Sequence, residues 1–404
     1  MLTDQNVGLF ITGGIASYKM AELARLFIKQ GANVRVVMSR SATEFITPMT
    51  LQILTKHEVL IDTFEEKHPE FVQHIEMAQW ADIAVVAPAT ANIIGKIANG
   101  IADDIVSTTL LAHDKPLIIA PAMNDRMLSN PATKRNLALL EEDGHTIIEP
   151  DTGFLAEGYE AKGRLPELER IVNVVIKRSV QKSLPPLLRD KKVVVTAGGT
   201  VERIDPVRYI SNDSSGKMGY ALARAAEWYG AQVHLVSTKK NLKAPEGVTV
   251  EYVESAEEMQ QAVERQYADA HFVVMAAAVS DYRVKNKADQ KIKKSGDSSD
   301  LVIDLAENPD ILAGLGAKKE HQTLIGFAAE TENLIENAMG KINRKNADWI
   351  IANDVSKEGA GFNVDTNEVT IISSDKSIYQ LPQLTKLDTA LSIWQTVLEA
   401  EDRS

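Results

Sequence analysis

Residues 7–39, VGLFITGGIASYKMAELARLFIKQGANVRVVMS, decide the fold. An apolar run closes on Gly13 and Gly14, an amphipathic segment follows, and Gly31 precedes a second β-branched run. The pattern predicts strand, tight turn, helix and strand, with Gly31 where a left-handed helix cap costs glycine least. Both runs are nearly continuous in apolar residues. A strand of that kind belongs to a parallel sheet covered by helices on both faces.

Similar runs recur at 83–87 and 117–120, then at 193–196, 233–237, 272–278, 301–305, 324–327 and 349–352. The second series echoes the first: VVVTAGG at 193–199 matches VGLFITGG, and WYGAQVHLVST at 228–238 matches the helix end and second strand. Gly14 to Gly31 spans 17 positions and Gly199 to Gly230 spans 31, so the second copy carries 14 extra residues, TVERIDPVRYISND at 200–213. Pro185 and Pro186 interrupt RSVQKSLPPLLRD at 178–190, as a linker would. The expected organisation is α/β: two Rossmann-like doubly wound domains with mainly parallel sheets, at 1–183 and 191–404, joined by a linker at 184–190.

Composition narrows the function. Forty-four Lys and Arg oppose 56 Asp and Glu, a net charge of −12, which disfavours broad binding to nucleic acid or anionic membranes. The chain has no cysteine, hence no disulfide, thiolate metal site or cysteine nucleophile. The opening residues carry no signal-peptide pattern and no apolar run approaches bilayer length, so a soluble cytoplasmic protein is expected.

A strand ending at Gly13-Gly14 and opening a helix aims backbone N–H groups at the space above the sheet, where a phosphate fits. A ligand-free tight turn fits equally well. GGIAS is not the G-x-G-x-x-G fingerprint, and the next strand ends Met38-Ser39-Arg40 without an acid for a ribose, which counts against a nicotinamide dinucleotide. Pro88-Ala89-Thr90-Ala91-Asn92 and Pro121-Ala122-Met123-Asn124 follow two further strands, and all these ends should open on one crevice. Ordinary turns and caps would explain them too. His74, in FVQHIEMAQWAD, lies on a helical stretch where most histidines are solvated bystanders.

In the second half, VVMAAAVSDYRVKNKADQKIKK places Ala276–278 at a strand end, then Asp281, then Lys285, Lys287, Lys291, Lys293 and Lys294. Five lysines within ten residues form either a solvated loop or a site for a triphosphate with Mg²⁺. Asn308-Pro309-Asp310-Ile311 opens another helix, with proline suited to its first turn. No Walker-type loop is present.

These motifs carry a resemblance. GGIASYK, QHIEMAQWAD, PATANIIGKIANGIADD, PAMNDRMLSNP and GYEAKGRLPE are similar to the flavin-dependent cysteine decarboxylases. GGTVERIDPVRYISNDSSGKMG, MAAAVSDYR, KIKK, ENPDIL, GFAAET and RKNADWIIANDV resemble a CTP-dependent ligase domain. Together they resemble the bifunctional phosphopantothenoylcysteine decarboxylase / phosphopantothenate–cysteine ligases of coenzyme A biosynthesis. The resemblance implies FMN held by Gly13, Gly14, Ser17, Ser39, Thr90 and Asn92, with His74 and Asn124 in the active site. It also implies CTP bordered by Met275, Ala276, Ala277 and Phe327 and held by Asn308, Pro309, Asp310, Ile311, Lys341 and Lys345. Asp281 would sit near Mg²⁺, Lys291 would neutralise phosphate charge in the transition state, and Asn212 would stabilise an acyl-cytidylate. Decarboxylase trimers and ligase dimers would build a dodecamer, the latter through the 14-residue insertion.

Two departures stand out. Where the family has a lid cysteine that donates a proton, this chain has Glu157, a candidate donor or a solvated loop residue; Asp213 stands where arginine is common. The rival functions are an active ligase with an impaired decarboxylase, and a flavin-binding regulatory protein without turnover.

Overall fold

The computed structural model describes residues 2–65, 70–183, 187–293, 301–330, 334–354 and 364–401. It forms two compact units, Met1–Ser183 and Leu184–Ser404.

In the first unit, β1 (Asn6–Ile11), β2 (Asn33–Met38), β3 (Val59–Leu60), β4 (Ile83–Ala89), β5 (Ile118–Pro121) and β6 (Thr146–Ile147) form one sheet in the order β3-β2-β1-β4-β5-β6, every pair parallel. This is the doubly wound order, with its switch point between β1 and β4. Phe10, Val37, Val86 and Ile119 pack on one face against Met77, Ile93 and Leu110 of the covering helices. Burial on both faces is why these strands do not alternate. Beyond the sheet, β7 (Asp151–Phe154) and β8 (Glu160–Arg164) pair as an antiparallel hairpin.

The second unit repeats the plan and then extends it. Its strands are β9 (Lys192–Ala197), β12 (Gln232–Ser237), β13 (Thr249–Tyr252), β14 (Phe272–Met275), β17 (Thr323–Glu330), β18 (Trp349–Asp354), β20 (Val369–Ser373) and β21 (Ile378–Gln380). They lie in the order β13-β12-β9-β14-β17-β18-β20-β21, the first six parallel and the last two antiparallel. Trp394, fully buried, meets the Phe272 ring edge-on at 5.5 Å and donates its indole N–H to Leu222 O at 3.0 Å, fastening the last helix, Lys386–Glu401, to the sheet. The 14-residue insertion contributes a small hairpin of β10 (Val201–Arg203) and β11 (Tyr209–Ser211).

Gly31 and Gly230 take φ of +91° and +94°, the left-handed caps their positions call for. Other expectations are corrected. The apolar run at 301–305 supplies no strand to the main sheet: only β16 (Leu305–Glu307) is extended, paired antiparallel with β15 (Tyr282–Val284), and Val302 is 82 % exposed. The run at 272–278 stops as a strand at Met275. Of the expected linker, 184–186 lie outside the described residues. Leu188 is fully buried in the second core and its N–H bonds Tyr229 O at 3.1 Å, so residues 187–190 fold with that unit.

Candidate functional site

In the first unit β1, β2, β4 and β5 end at the same sheet edge, and the loops that follow wall a cavity of about 980 Å³. Gly13 and Gly14, Ser39, Thr90 and Asn92, and Asn124 all contribute, and Glu157 closes one side from the β7–β8 hairpin. A Cβ on Gly13 would lie 2.3 Å from Ser41 Cβ, so only glycine permits the turn to pass there. The Thr12 hydroxyl donates to Pro88 O at 2.7 Å and accepts from Thr90 N at 3.1 Å, locking the β1 end to the β4 turn. Ser17 does not line the cavity; its buried hydroxyl lies 2.8 and 2.6 Å from the Thr12 and Gly14 carbonyl oxygens and shapes the turn from behind. Ser39 Oγ is buried without a hydrogen-bond partner, a group whose desolvation a bound hydroxyl or phosphate would offset. Volume, glycine turn and orphan hydroxyl together fit a flavin nucleotide.

Asn124 Oδ1 accepts from Arg126 N at 2.9 Å, capping the short helix Asp125–Ser129, which leaves its amide N–H₂ free to face the cavity. That group donates to Glu157 Oε1 at 2.8 Å and lies 3.0 Å from Tyr159 OH, which donates to Asp125 Oδ1 at 2.6 Å. The Asp125 bond raises the Tyr159 phenol above its ordinary pKa. His74, on the helix Gln73–Trp80, is not in the cavity wall, and its Nδ1 is buried without a partner. Arg40 and Lys96 also line the cavity, although neither was singled out from the sequence. Lys96 Nζ sits 2.6 Å from both Asp103 Oδ1 and Asp104 Oδ2.

The second unit repeats the arrangement around a cavity of about 730 Å³. Met275 ends β14, Ala276, Ala277 and Asp281 follow it, and Phe327 lies on the neighbouring β17. Asn308, Pro309, Asp310 and Ile311 enter the helix Ile311–Ala317, while Lys341 and Lys345 project from Leu334–Lys345. Lys345 Nζ pairs with Asp310 Oδ2 at 3.1 Å. Asn212, from the insertion, also lines the wall and donates to Val279 O at 3.0 Å; a Cβ on Gly199 would lie 2.3 Å from Asn212 O. Ser280 Oγ and Asn308 Oδ1 are buried without partners in the same wall.

Lys291 lies outside this wall, exposed on the loop that follows β15, and Lys294 is outside the described residues. Lys386, buried in the wall, had no local signal because it sits at the start of a distant helix; burial and then the Lys217 ammonium hold its pKa below the lysine range. No group of three or more His, Asp or Glu among the described residues could hold a metal alone.

Residues 1–180 match the family described as Flavoprotein, and 188–400 the DNA/pantothenate metabolism flavoprotein C-terminal domain. Two doubly wound units, each with a cavity at its strand ends, thus define a two-part flavoprotein. The chain is 48 % identical over 399 residues to the coenzyme A biosynthesis bifunctional protein CoaBC of Bacillus subtilis, covering 98 % of this chain and 97 % of that one. The chain belongs to this coenzyme A biosynthesis bifunctional protein family. It is also 43 % identical over 356 residues to a cysteine/cysteine sulfinic acid decarboxylase from an unknown prokaryotic organism, covering 87 % of this chain and 99 % of that one. A crystal structure of the C-terminal domain of CoaBC matches at 41 % identity and a TM-score of 0.47, covering 54 % of this chain and all of that one. Among the described residues no helix is long and apolar enough to cross a membrane.

Proposed function

We propose that the second unit joins 4′-phosphopantothenate to cysteine with CTP, and that the first decarboxylates the resulting 4′-phosphopantothenoylcysteine to 4′-phosphopantetheine with FMN. One observation carries this: each family match coincides with one strand-end cavity whose wall holds buried polar atoms without partners, Ser39 Oγ in the first and Ser280 Oγ and Asn308 Oδ1 in the second.

In the ligase step a carboxylate oxygen of phosphopantothenate attacks the α-phosphorus of CTP. The new O–P bond forms as the bond to the bridging oxygen breaks, and pyrophosphate leaves. Met275, Ala276, Ala277 and Phe327 border the nucleotide, and Asn308 to Ile311 with Lys341 and Lys345 hold the triphosphate. Asp281 would hold Mg²⁺, which would offset charge on the triphosphate. Lys291 neutralises the charge that develops on them, the main contribution a protein makes to such a transfer. Asn212 steadies the acyl-cytidylate. The cysteine amine then attacks the acyl carbon, an amide forms, CMP departs and the amine proton passes to solvent.

In the first unit a bound FMN would supply a two-electron oxidation of the substrate thiol, after which the neighbouring carboxylate can leave as carbon dioxide. Gly13, Gly14, Ser39, Thr90 and Asn92 hold it, with Ser17 supporting the turn. The Asn124 amide binds the substrate carboxylate; it already donates to one, that of Glu157, at 2.8 Å. His74 serves the active site, and Glu157 donates the proton that, together with the two electrons the bound flavin would return, restores the saturated thiol. The resemblance further supports a cytoplasmic homo-oligomer, a dodecamer of trimers and dimers.

A visible spectrum of the purified protein, with pyrophosphate release that needs phosphopantothenate and CTP together, tests the whole. A colourless protein that neither takes up FMN nor consumes CTP refutes it. The replacement of the lid cysteine by Glu157 favours one second reading, an active ligase with an impaired decarboxylase. Carbon dioxide release from purified 4′-phosphopantothenoylcysteine, with free cysteine as contrast, separates the two.

A further inference from the structure

We propose that Asp205 is a positioning residue for the ligase reaction: its buried carboxylate ties the lysine-bearing loop after β15 to the β10–β11 hairpin and so fixes the point from which Lys291, exposed outside the cavity wall, reaches towards the nucleotide phosphates. The inference rests on the CTP-ligase assignment above and adds a residue that makes no contact with the cavity.

The two oxygens of Asp205, a fully buried residue, divide the work. Oδ1 accepts from Val207 N and Arg208 N, both at 2.8 Å, and closes the hairpin turn. Oδ2 accepts from Arg208 Nε at 3.0 Å, from Arg208 Nη2 at 2.6 Å, and from the backbone N–H of Ile292 at 3.2 Å. Arg208 Nη2 also donates to Ile292 O at 2.9 Å. Both backbone groups of Ile292 are thus engaged by one ion pair, much as a neighbouring strand would engage them. Ala288 N donates to Ile204 O at 2.9 Å and makes a second tie. Ile292 directly follows Lys291.

Closing the turn needs only Oδ1. Burying the rest of an ionised carboxylate is costly unless it has partners to serve. Those partners lie on a loop whose lysines repel one another, so without an anchor it would spread into solvent. The Arg208 guanidinium, followed by the backbone N–H groups, holds the Asp205 carboxyl far below its ordinary pKa, so the anchor stays charged at any working pH.

Asp205→Asn keeps Oδ1 for the turn but turns an N–H₂ group towards Arg208 and Ile292; Asp205→Ala removes turn and anchor together. In the full-length protein both should lower kcat for CTP-dependent pyrophosphate release about ten- to a hundredfold. KM for CTP should stay within about threefold, because the lost contact belongs to the transition state. Trypsin should cleave native Asp205→Asn after Lys291 and Lys293 about tenfold faster, while its Tm stays near the parental value. Combining Asp205→Asn with Lys291→Met should cost no more than Lys291→Met alone. If Asp205→Asn keeps the parental kcat and trypsin rate while Asp205→Ala melts lower, the carboxylate serves only the turn and the proposal is overturned. A parental protein that releases no pyrophosphate overturns the ligase assignment itself, whatever the trypsin comparison shows.

Discussion

Replacing Thr12 by valine would remove one hydroxyl and nothing else of size, at the junction on which the first cavity depends. Thr12 is 3 % exposed, donates to Pro88 O at 2.7 Å and accepts from Thr90 N at 3.1 Å. Valine fills the same space but leaves a buried carbonyl and a buried N–H unpaired. Each such orphan costs roughly 1–3 kcal/mol, and partial relaxation brings the pair to about 2–4 kcal/mol. The cost falls on the turn carrying Thr90 and Asn92, so it should appear as local opening before global unfolding. Since about 1.4 kcal/mol is a factor of ten, the Thr90 amide should exchange with solvent at least tenfold faster. FMN affinity, followed by quenching of flavin fluorescence, should weaken by about the same factor. Thr12→Ser keeps the hydroxyl and should behave as the parent. Equal exchange and equal FMN affinity in Thr12→Val and the parent would show that the junction does not organise the cavity.

Three further outcomes are expected. Glu157→Gln should release carbon dioxide while accumulating the decarboxylated enethiol, with formation of saturated thiol slowed about a hundredfold; thiol at the parental rate removes Glu157 as the proton donor. Gly199→Ala would press a Cβ to 2.3 Å from Asn212 O, so pyrophosphate release should fall at least about tenfold while carbon dioxide release from preformed 4′-phosphopantothenoylcysteine is unchanged. Burial opposes ionisation of Asp104, but the Lys96 ammonium and the Ser107 N–H outweigh it and hold its carboxyl below the ordinary pKa. A depressed carboxyl stabilises the fold above its unfolded pKa, about 3.9, and that stabilisation is lost as pH falls through the folded value. Asp104→Asn should therefore flatten the acid-induced release of flavin below about pH 4, and an unchanged acid profile would refute the ion pair's contribution.

The main strands and their cap glycines were legible because a strand buried on both faces must be apolar throughout and a helix turning back must end in a left-handed residue. The strand ends bearing Gly13, Ser39, Thr90 and Asn124 could be assigned to one crevice for the same reason: in a parallel sheet every carboxyl end opens on the same side. The two-residue strands Val59–Leu60 and Thr146–Ile147 left no mark, since a pattern needs more positions than they have. The run at 301–305 misled because apolar composition alone cannot tell a strand of the main sheet from an exposed approach to a three-residue antiparallel pair.

Local order, then, followed from the chain: which segments are strands, where they turn, and which motifs sit at their ends. Only the tertiary structure decided that Ser17 faces away from the cavity, that Leu188 packs within the second core, and that Asp205 grips a backbone 87 residues further on. Periodicity and turn chemistry act between neighbours a few positions apart. A buried hydrogen bond or ion pair between distant segments is chosen by the closed packing of the whole unit, and nothing in either segment announces its partner.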